Sequence, residues 1–163
     1  ITGIHIASYG RDFKGENILY KSVKNNCEIL ANSSYELARF LELEVDDNVV
    51  LYTKDVETIC YNDCNNNYTA DIYIEYKNGR KVVEEVKPNW YLKYMNKTLD
   101  LIKNTTQENI ATELNISPKS VKKFLLSDLK FKEAEKYFTE KGIEYKIITE
   151  DNINTKLAQK YIK

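Results

Sequence analysis

Apolar residues recur at helical spacing around residues 34–44 and again beyond residue 88, while between those stretches they alternate or form short strand-length blocks. In the first stretch Leu37, Phe40, Leu41 and Leu43 share one side of a helix that begins at a Ser33 or Ser34 N-cap and runs to about Glu44. Asn48 to Tyr52 and Val56 to Tyr61 read as strands, followed by a polar loop from Asn62 to Asn67. Asp71 to Tyr76 and Arg80 to Lys87 then alternate as two strands. Between them Lys77-Asn78-Gly79-Arg80 carries the Asn-Gly pair of a tight hairpin turn.

Past Pro88 the period becomes helical. Gln107 to Leu126 has the pattern of a helix-turn-helix: Ala111 at the close crossing, Asn115 where a left-handed residue is tolerated, Ser117 as a cap and Pro118 at the first helical position. Its second helix would turn Val121, Phe124 and Leu125 inward and Lys119, Ser120, Lys122 and Lys123 outward. A plain helical hairpin with solvated lysines fits the same residues. Asp128 reads as the cap of a further helix through Lys141, with Phe131, Ala134, Glu135 and Phe138 toward a sheet and Gly142 ending it. Ile143 to Thr149 reads as a strand parallel to its sheet neighbour, and a short helix follows from about Asp151. Residues 1–32 read as an N-terminal arm with strands at Ile4 to Ser8, where His5 is a strand residue, and at Glu28 to Leu30. The whole is one α/β domain over 1–163, with a helical insertion at 98–127.

The hairpin carries the chemistry. With side chains alternating along the second strand, Val83, Glu85 and Lys87 share one face, and Val82, Glu84 and Val86 share the other. Matched arms bring the start of the first strand beside the end of the second, so Asp71 and Glu85 become neighbours. Two carboxylates supply hard oxygen donors for a divalent cation, and the lysine supplies positive charge near an attacked phosphorus. Glu-x-Lys on a hairpin is more often an exposed charge pair. The weight therefore rests on Asp71 at matching depth, on Glu36 in the first turn of the upstream helix and on Pro88 closing the strand. Glu36 is equally explained as a first-turn acid favoured by the helix dipole.

Thr69-Ala70-Asp71, with Gly79-Arg80-Lys81-Val82-Val83-Glu84-Glu85-Val86-Lys87-Pro88, resembles the core of the PD-(D/E)xK nucleases, with Ala70 where proline is usual. Within that superfamily the chain resembles the TnsA-type transposon endonucleases most, and small phage head-completion nucleases second. Ser33-Ser34-Tyr35-Glu36, Leu41 to Asp46 and the stretches Phe131 to Tyr137 and Ile147 to Glu150 support the likeness. The resemblance implies a restriction-endonuclease-like mixed sheet flanked by helices and Mg²⁺-dependent DNA cleavage, with Mn²⁺ able to substitute. It implies Glu36, Asp71, Glu85 and the Val86 carbonyl as metal ligands, Lys87 as the catalytic lysine, and no organic cofactor. Two other readings stay open: a phage DNA-end or branched-DNA processing nuclease, and a non-catalytic helix-turn-helix DNA-binding protein on a degenerate nuclease core.

Charge changes the picture of the partner. The formal net charge is −1 and the pI about 6.0, so DNA affinity has to come from a local patch, from a metal bridging to phosphate, or from a protein partner or second copy. Lys119, Lys122 and Lys123 are the candidate patch, and Trp90 and Lys93, just beyond the active strand, are further DNA-contact candidates. The cysteines Cys27, Cys60 and Cys64 are odd in number and sparse, which argues against a disulfide framework and suits a reducing compartment; the spacing of Cys60 and Cys64 could hold two ligands of a zinc site, but a further cysteine or histidine pair is absent. No apolar run is long enough to cross a bilayer, so a cytoplasmic protein of a bacterium or phage-infected cell is expected.

Overall fold

The structure, a computed structural model, describes residues 2–7 by their backbone and residues 17–159 throughout. Strands β1 (Thr2–Ala7), β2 (Asn17–Ser22) and β3 (Cys27–Ala31) form an antiparallel sheet in that order. The strand expected at Ile4 to Ser8 is β1; Ser8 and the side chain of His5 lie outside the described residues. Sequence alternation alone did not single out β2, yet Ile18 and Tyr20 are buried on its inner face.

Helix α1 (Ser34–Val45) starts where Ser33 accepts the Glu36 N–H at 3.1 Å, and its apolar stripe of Leu37, Phe40, Leu41 and Leu43 is buried. There follow β4 (Val49–Thr53), β5 (Ile59–Tyr61), β6 (Asn66–Tyr68), β7 (Ile72–Tyr76), β8 (Lys81–Val86), α2 (Asn89–Leu101), α3 (Gln107–Leu114), α4 (Pro118–Glu140), β9 (Glu144–Ile148), a 3₁₀ turn (Glu150–Asn152) and α5 (Lys156–Gln159). The central sheet runs β4-β7-β8-β9. Its first three strands are antiparallel, and β9 joins parallel to β8 after the helical crossover. In the β7–β8 turn Gly79 takes φ +89 and donates its N–H to the Tyr76 carbonyl at 2.9 Å, a backbone that suits glycine.

The alternation of β8 divides the core. Val82 faces α1 and the N-terminal sheet, whereas Val83 faces the cluster of Tyr91, Met95, Phe124, Phe131 and Phe138 from α2 and α4. Each fully buried leucine or phenylalanine in these layers contributes about 1.5–3 kcal/mol. The N-terminal sheet is also tied in by polar contacts: Glu44 accepts Ser22 Oγ at 2.5 Å and Tyr52 OH at 2.6 Å, and Tyr52 OH meets Tyr20 OH.

At three places the chain departs from the pattern its sequence suggests. No break occurs at Asp128: the helix expected from Pro118 and the helix expected from Asp128 are one, α4, because the apolar stripe Val121, Phe124, Phe131, Ala134, Phe138 never loses helical phase. Asp128 instead pairs with Lys132 one turn later, at 2.9 Å. The polar segment 62–67 is not all loop, since Asn66 and Asn67 pair with Tyr61 and Cys60 in a β5–β6 ribbon. Cys60 and Cys64 are not free thiols but a disulfide; Asn62, Asp63 and Cys64, all with positive φ, turn the chain tightly enough to set the two Cα atoms 4.7 Å apart. Cys27 is exposed and unpaired. The expected turn chemistry at Asn115 and Ser117 is present: Asn115 is left-handed (φ 54), and Ser117 Oγ accepts the Ser120 N–H at 3.0 Å. Among the described residues no helix is long and apolar enough to cross a membrane.

Candidate active site

The β7–β8 ladder ends at Ile72 paired with Glu84, so one step further Asp71 stands opposite Glu85. On the other side of β8, the Lys87 N–H donates to the Ile148 carbonyl of β9 at 2.9 Å. A strand residue directs its N–H and C=O to the same edge, and neighbours alternate, so the Val86 N–H and carbonyl face Asp71. The Val86 N–H donates to Asp71 Oδ2 at 2.7 Å, while no hydrogen bond is made to Oδ1 among the described residues.

Glu85 is 4% exposed. Its Oε2 accepts Tyr68 OH at 2.7 Å, Tyr145 OH lies 3.0 Å from that hydroxyl, and Lys87 Nζ is 3.5 Å from Oε1. Lys87 also lies 4.8 Å from the centre of the Tyr91 ring. Burial, and then the neighbouring Asp71 charge, push Glu85 up to about 7. Burial raises Asp71 as well, outweighing the Val86 N–H and the lysine charges around it.

An acid raised in the folded state favours its protonated form there, so its contribution to stability is full below about 4.5, its ordinary value, and is lost as pH rises through about 7. In EDTA, wild-type stability should fall between pH 5 and 8 by on the order of 3 kcal/mol through this group. Glu85→Gln should flatten the profile; urea midpoints across that range check it, and parallel profiles for the two proteins would refute it.

Glu36 is brought near but not fully joined. Its carboxylate, buried at the start of α1, is raised by burial and feels the Asp71 charge, yet Oε1 pairs with Lys54 Nζ at 2.8 Å. Among the described residues no three acidic, histidine or cysteine side chains gather closely enough to hold a metal. Asp71, Glu85 and the Val86 carbonyl are nonetheless hard oxygen donors with no soft ligand among them. Such a set suits Mg²⁺, which is commonly held by one or two carboxylates together with substrate phosphate.

The candidate DNA contacts divide. Lys123 on α4 lies 5.7 Å from the centre of the Tyr91 ring, the ring that Lys87 also covers, so the two ammonium groups share one wall of a cleft of about 830 Å³. Trp90, 58% exposed, lines that cleft and packs edge-on against Tyr91 at 5.7 Å. Lys93, Lys119 and Lys122 are exposed on α2 and α4. Ser120 is half-buried, its hydroxyl held 2.9 Å from that of the N-cap Ser117 rather than projecting freely.

Four residues of the site escaped the sequence reading: Lys54, Tyr68, Tyr145 and Lys130. The charges of Lys54, Lys87 and Lys130 all reach Asp71. Lys130 was detectable in principle, since an unbroken α4 puts it two turns beyond Lys123 on the same face.

A mixed sheet with an acid-bearing hairpin, a parallel return strand and helices on both faces is the restriction-endonuclease-like nuclease fold. The chain belongs to the TnsA-like endonuclease N-terminal family, whose model matches residues 40–150, more than half of its length. The match contains Asp71, Glu85 and Lys87 and begins just after Glu36. No curated protein and no solved structure is significantly similar to this chain.

Proposed function

We propose that this endonuclease-family domain is a divalent-metal-dependent DNA endonuclease whose site is Asp71, Glu85, the Val86 carbonyl and Lys87, with Glu36 at its margin. The observation that carries the reading is the meeting of Asp71 and Glu85 at the open end of the hairpin with Lys87 3.5 Å from Glu85. Mg²⁺, or Mn²⁺ in its place, would be held by Asp71, Glu85 and the Val86 carbonyl and would supply Lewis-acid activation of the phosphate and the attacking water. Glu36, drawn toward Lys54, would approach the site once Lys54 engages phosphate.

Tyr68 fixes one oxygen of Glu85 and leaves the other toward Lys87. The Val86 N–H likewise fixes one oxygen of Asp71. Lys87 places its ammonium beside the carboxylates, where it orients water or offsets the charge that grows on the phosphoryl oxygens. Lys119, Lys122, Lys123, Lys93 and the exposed Trp90 give a balanced chain the local positive, aromatic surface that a DNA strand needs. A mobile-element context, in which a partner or a second copy presents the target, follows the family and fits the modest overall charge.

The reading is tested by titrating Mn²⁺ into the protein and following free ion by electron paramagnetic resonance. Wild type should bind, and Asp71→Asn, which preserves an acceptor for the Val86 N–H, should bind about tenfold or more weakly. Equal binding by both proteins would count against the site.

A further inference from the structure

Lys130 has no role in the site set out so far. It lies on α4, half-buried, with Nζ 5.0 Å from the centre of the Tyr68 ring and 5.3 Å from that of Phe131. That same Tyr68 donates its hydroxyl to Glu85, so Lys130 stands one ring away from the carboxylate pair. Its charge reaches both Asp71 and Glu85 and is opposed by Lys87 and Lys123. Lys54 has Glu36 at 2.8 Å, Lys87 has Glu85 at 3.5 Å, and Lys132 has Asp128 at 2.9 Å, whereas Lys123 has no carboxylate partner among the described residues but is exposed to water. Among the described residues Lys130 makes no such pair.

Holding an ammonium partly out of water without an anion costs free energy, and an aromatic face offsets only part of it. Burial and the neighbouring cations hold Lys130 below the ordinary lysine range. A negatively charged ligand would relieve both. With a divalent cation on the acids, the attraction of Asp71 and Glu85 for Lys130 would weaken, leaving the lysine with the repulsion of Lys87 and Lys123 and no carboxylate to offset it.

We propose that Lys130 is a phosphate-binding residue of this site, donating to a non-bridging oxygen of a nucleic-acid phosphate placed beside Glu85. The assignment rests on the nuclease reading for its substrate but makes its own claim about an anion. Lys87 and Lys130 would then hold a phosphate from β8 and from α4.

The test is calorimetric titration of thymidine 3′,5′-bisphosphate, in Ca²⁺, into the full chain and three variants. Lys130→Met should weaken binding about tenfold, the loss of one charge-assisted hydrogen bond. Lys130→Arg should stay within about threefold of wild type, and Lys132→Met should match it. The direction separates a ligand contact from a change at the cation: removing a positive charge beside Asp71 and Glu85 would tighten Ca²⁺, so weaker bisphosphate binding cannot arise there. Melting temperatures of the metal-free variants report whether the fold is kept. Equal affinity of wild type and Lys130→Met, failure of arginine to restore it, or no binding by wild type would each overturn the assignment. Bisphosphate binding that depends on Lys130 in a protein unable to cut DNA would sink the nuclease reading while leaving the phosphate site in place.

Discussion

Asp71→Asn and Lys87→Ala should each lower the rate of DNA cleavage by about a hundredfold to a thousandfold or more while leaving the fold intact, because the first removes a ligand charge from the metal site and the second a cation beside the reacting phosphate. Asparagine keeps an oxygen for the Val86 N–H, now bonded to Asp71 Oδ2 at 2.7 Å, so the end of β8 stays anchored. Losing one of two buried, mutually repelling acids also relieves Glu85, which the Asp71 charge helps push up to about 7. Asp71→Asn is therefore expected to melt no lower than wild type in EDTA. Lys87→Ala removes a cation lying over Tyr91 and leaves Glu85 less compensated, so a modest loss of stability accompanies its loss of rate. Gel assays of cleavage, paired with thermal melts, separate the two effects; a fully active Asp71→Asn protein would refute the assignment.

The largest expected effect on stability lies on the opposite face of the same strand. Arg39 of α1 grips Glu84 through two hydrogen bonds, of 2.7 and 2.9 Å, and Glu84 is only 3% exposed. Arg39→Met would strand that carboxylate in the core between α1 and the sheet. A loss of about 3–5 kcal/mol in urea unfolding at pH 7 is expected. Replacing both partners, Arg39→Met with Glu84→Met, should recover most of it, since a buried ion pair exchanged for apolar side chains is often neutral. A single variant within about 1 kcal/mol of wild type would contradict this; the margin is well below the cost of an unpaired buried charge.

Glu84 and Glu85 mark how far the sequence could be read. Period-two alternation placed them on opposite faces and nominated the second for chemistry, and the structure puts Glu84 on Arg39 and Glu85 opposite Asp71. The hairpin was legible because its turn, its alternation and its matched arms are all local. Helix α1 was legible for the same reason, its Ser33 cap and apolar stripe being written in consecutive residues.

What the sequence hid depends on distant contacts. Tyr68 follows a polar stretch in the sequence, and only the pairing of β6 with β5 directs it toward Glu85. Lys54 reaches Glu36 because β4 ends beside the first turn of α1. Lys130 was obscured by reading Asp128 as a helix cap, when the residue was a helix-surface partner of Lys132. The Cys60–Cys64 bond was missed for a different reason: cysteine count argues about compartments, whereas the bond follows from three successive left-handed residues.

The most direct measurement is a time course of supercoiled plasmid incubated with the purified chain in Mg²⁺, in Mn²⁺ and in EDTA, with Asp71→Asn alongside. Nicked or linear product is expected in either metal, none in EDTA and little or none from the variant. Cutting that persists in EDTA, or that is equal in the two proteins, would contradict the assignment, as would an intact plasmid in both metals while the protein still binds DNA through Lys119, Lys122 and Lys123.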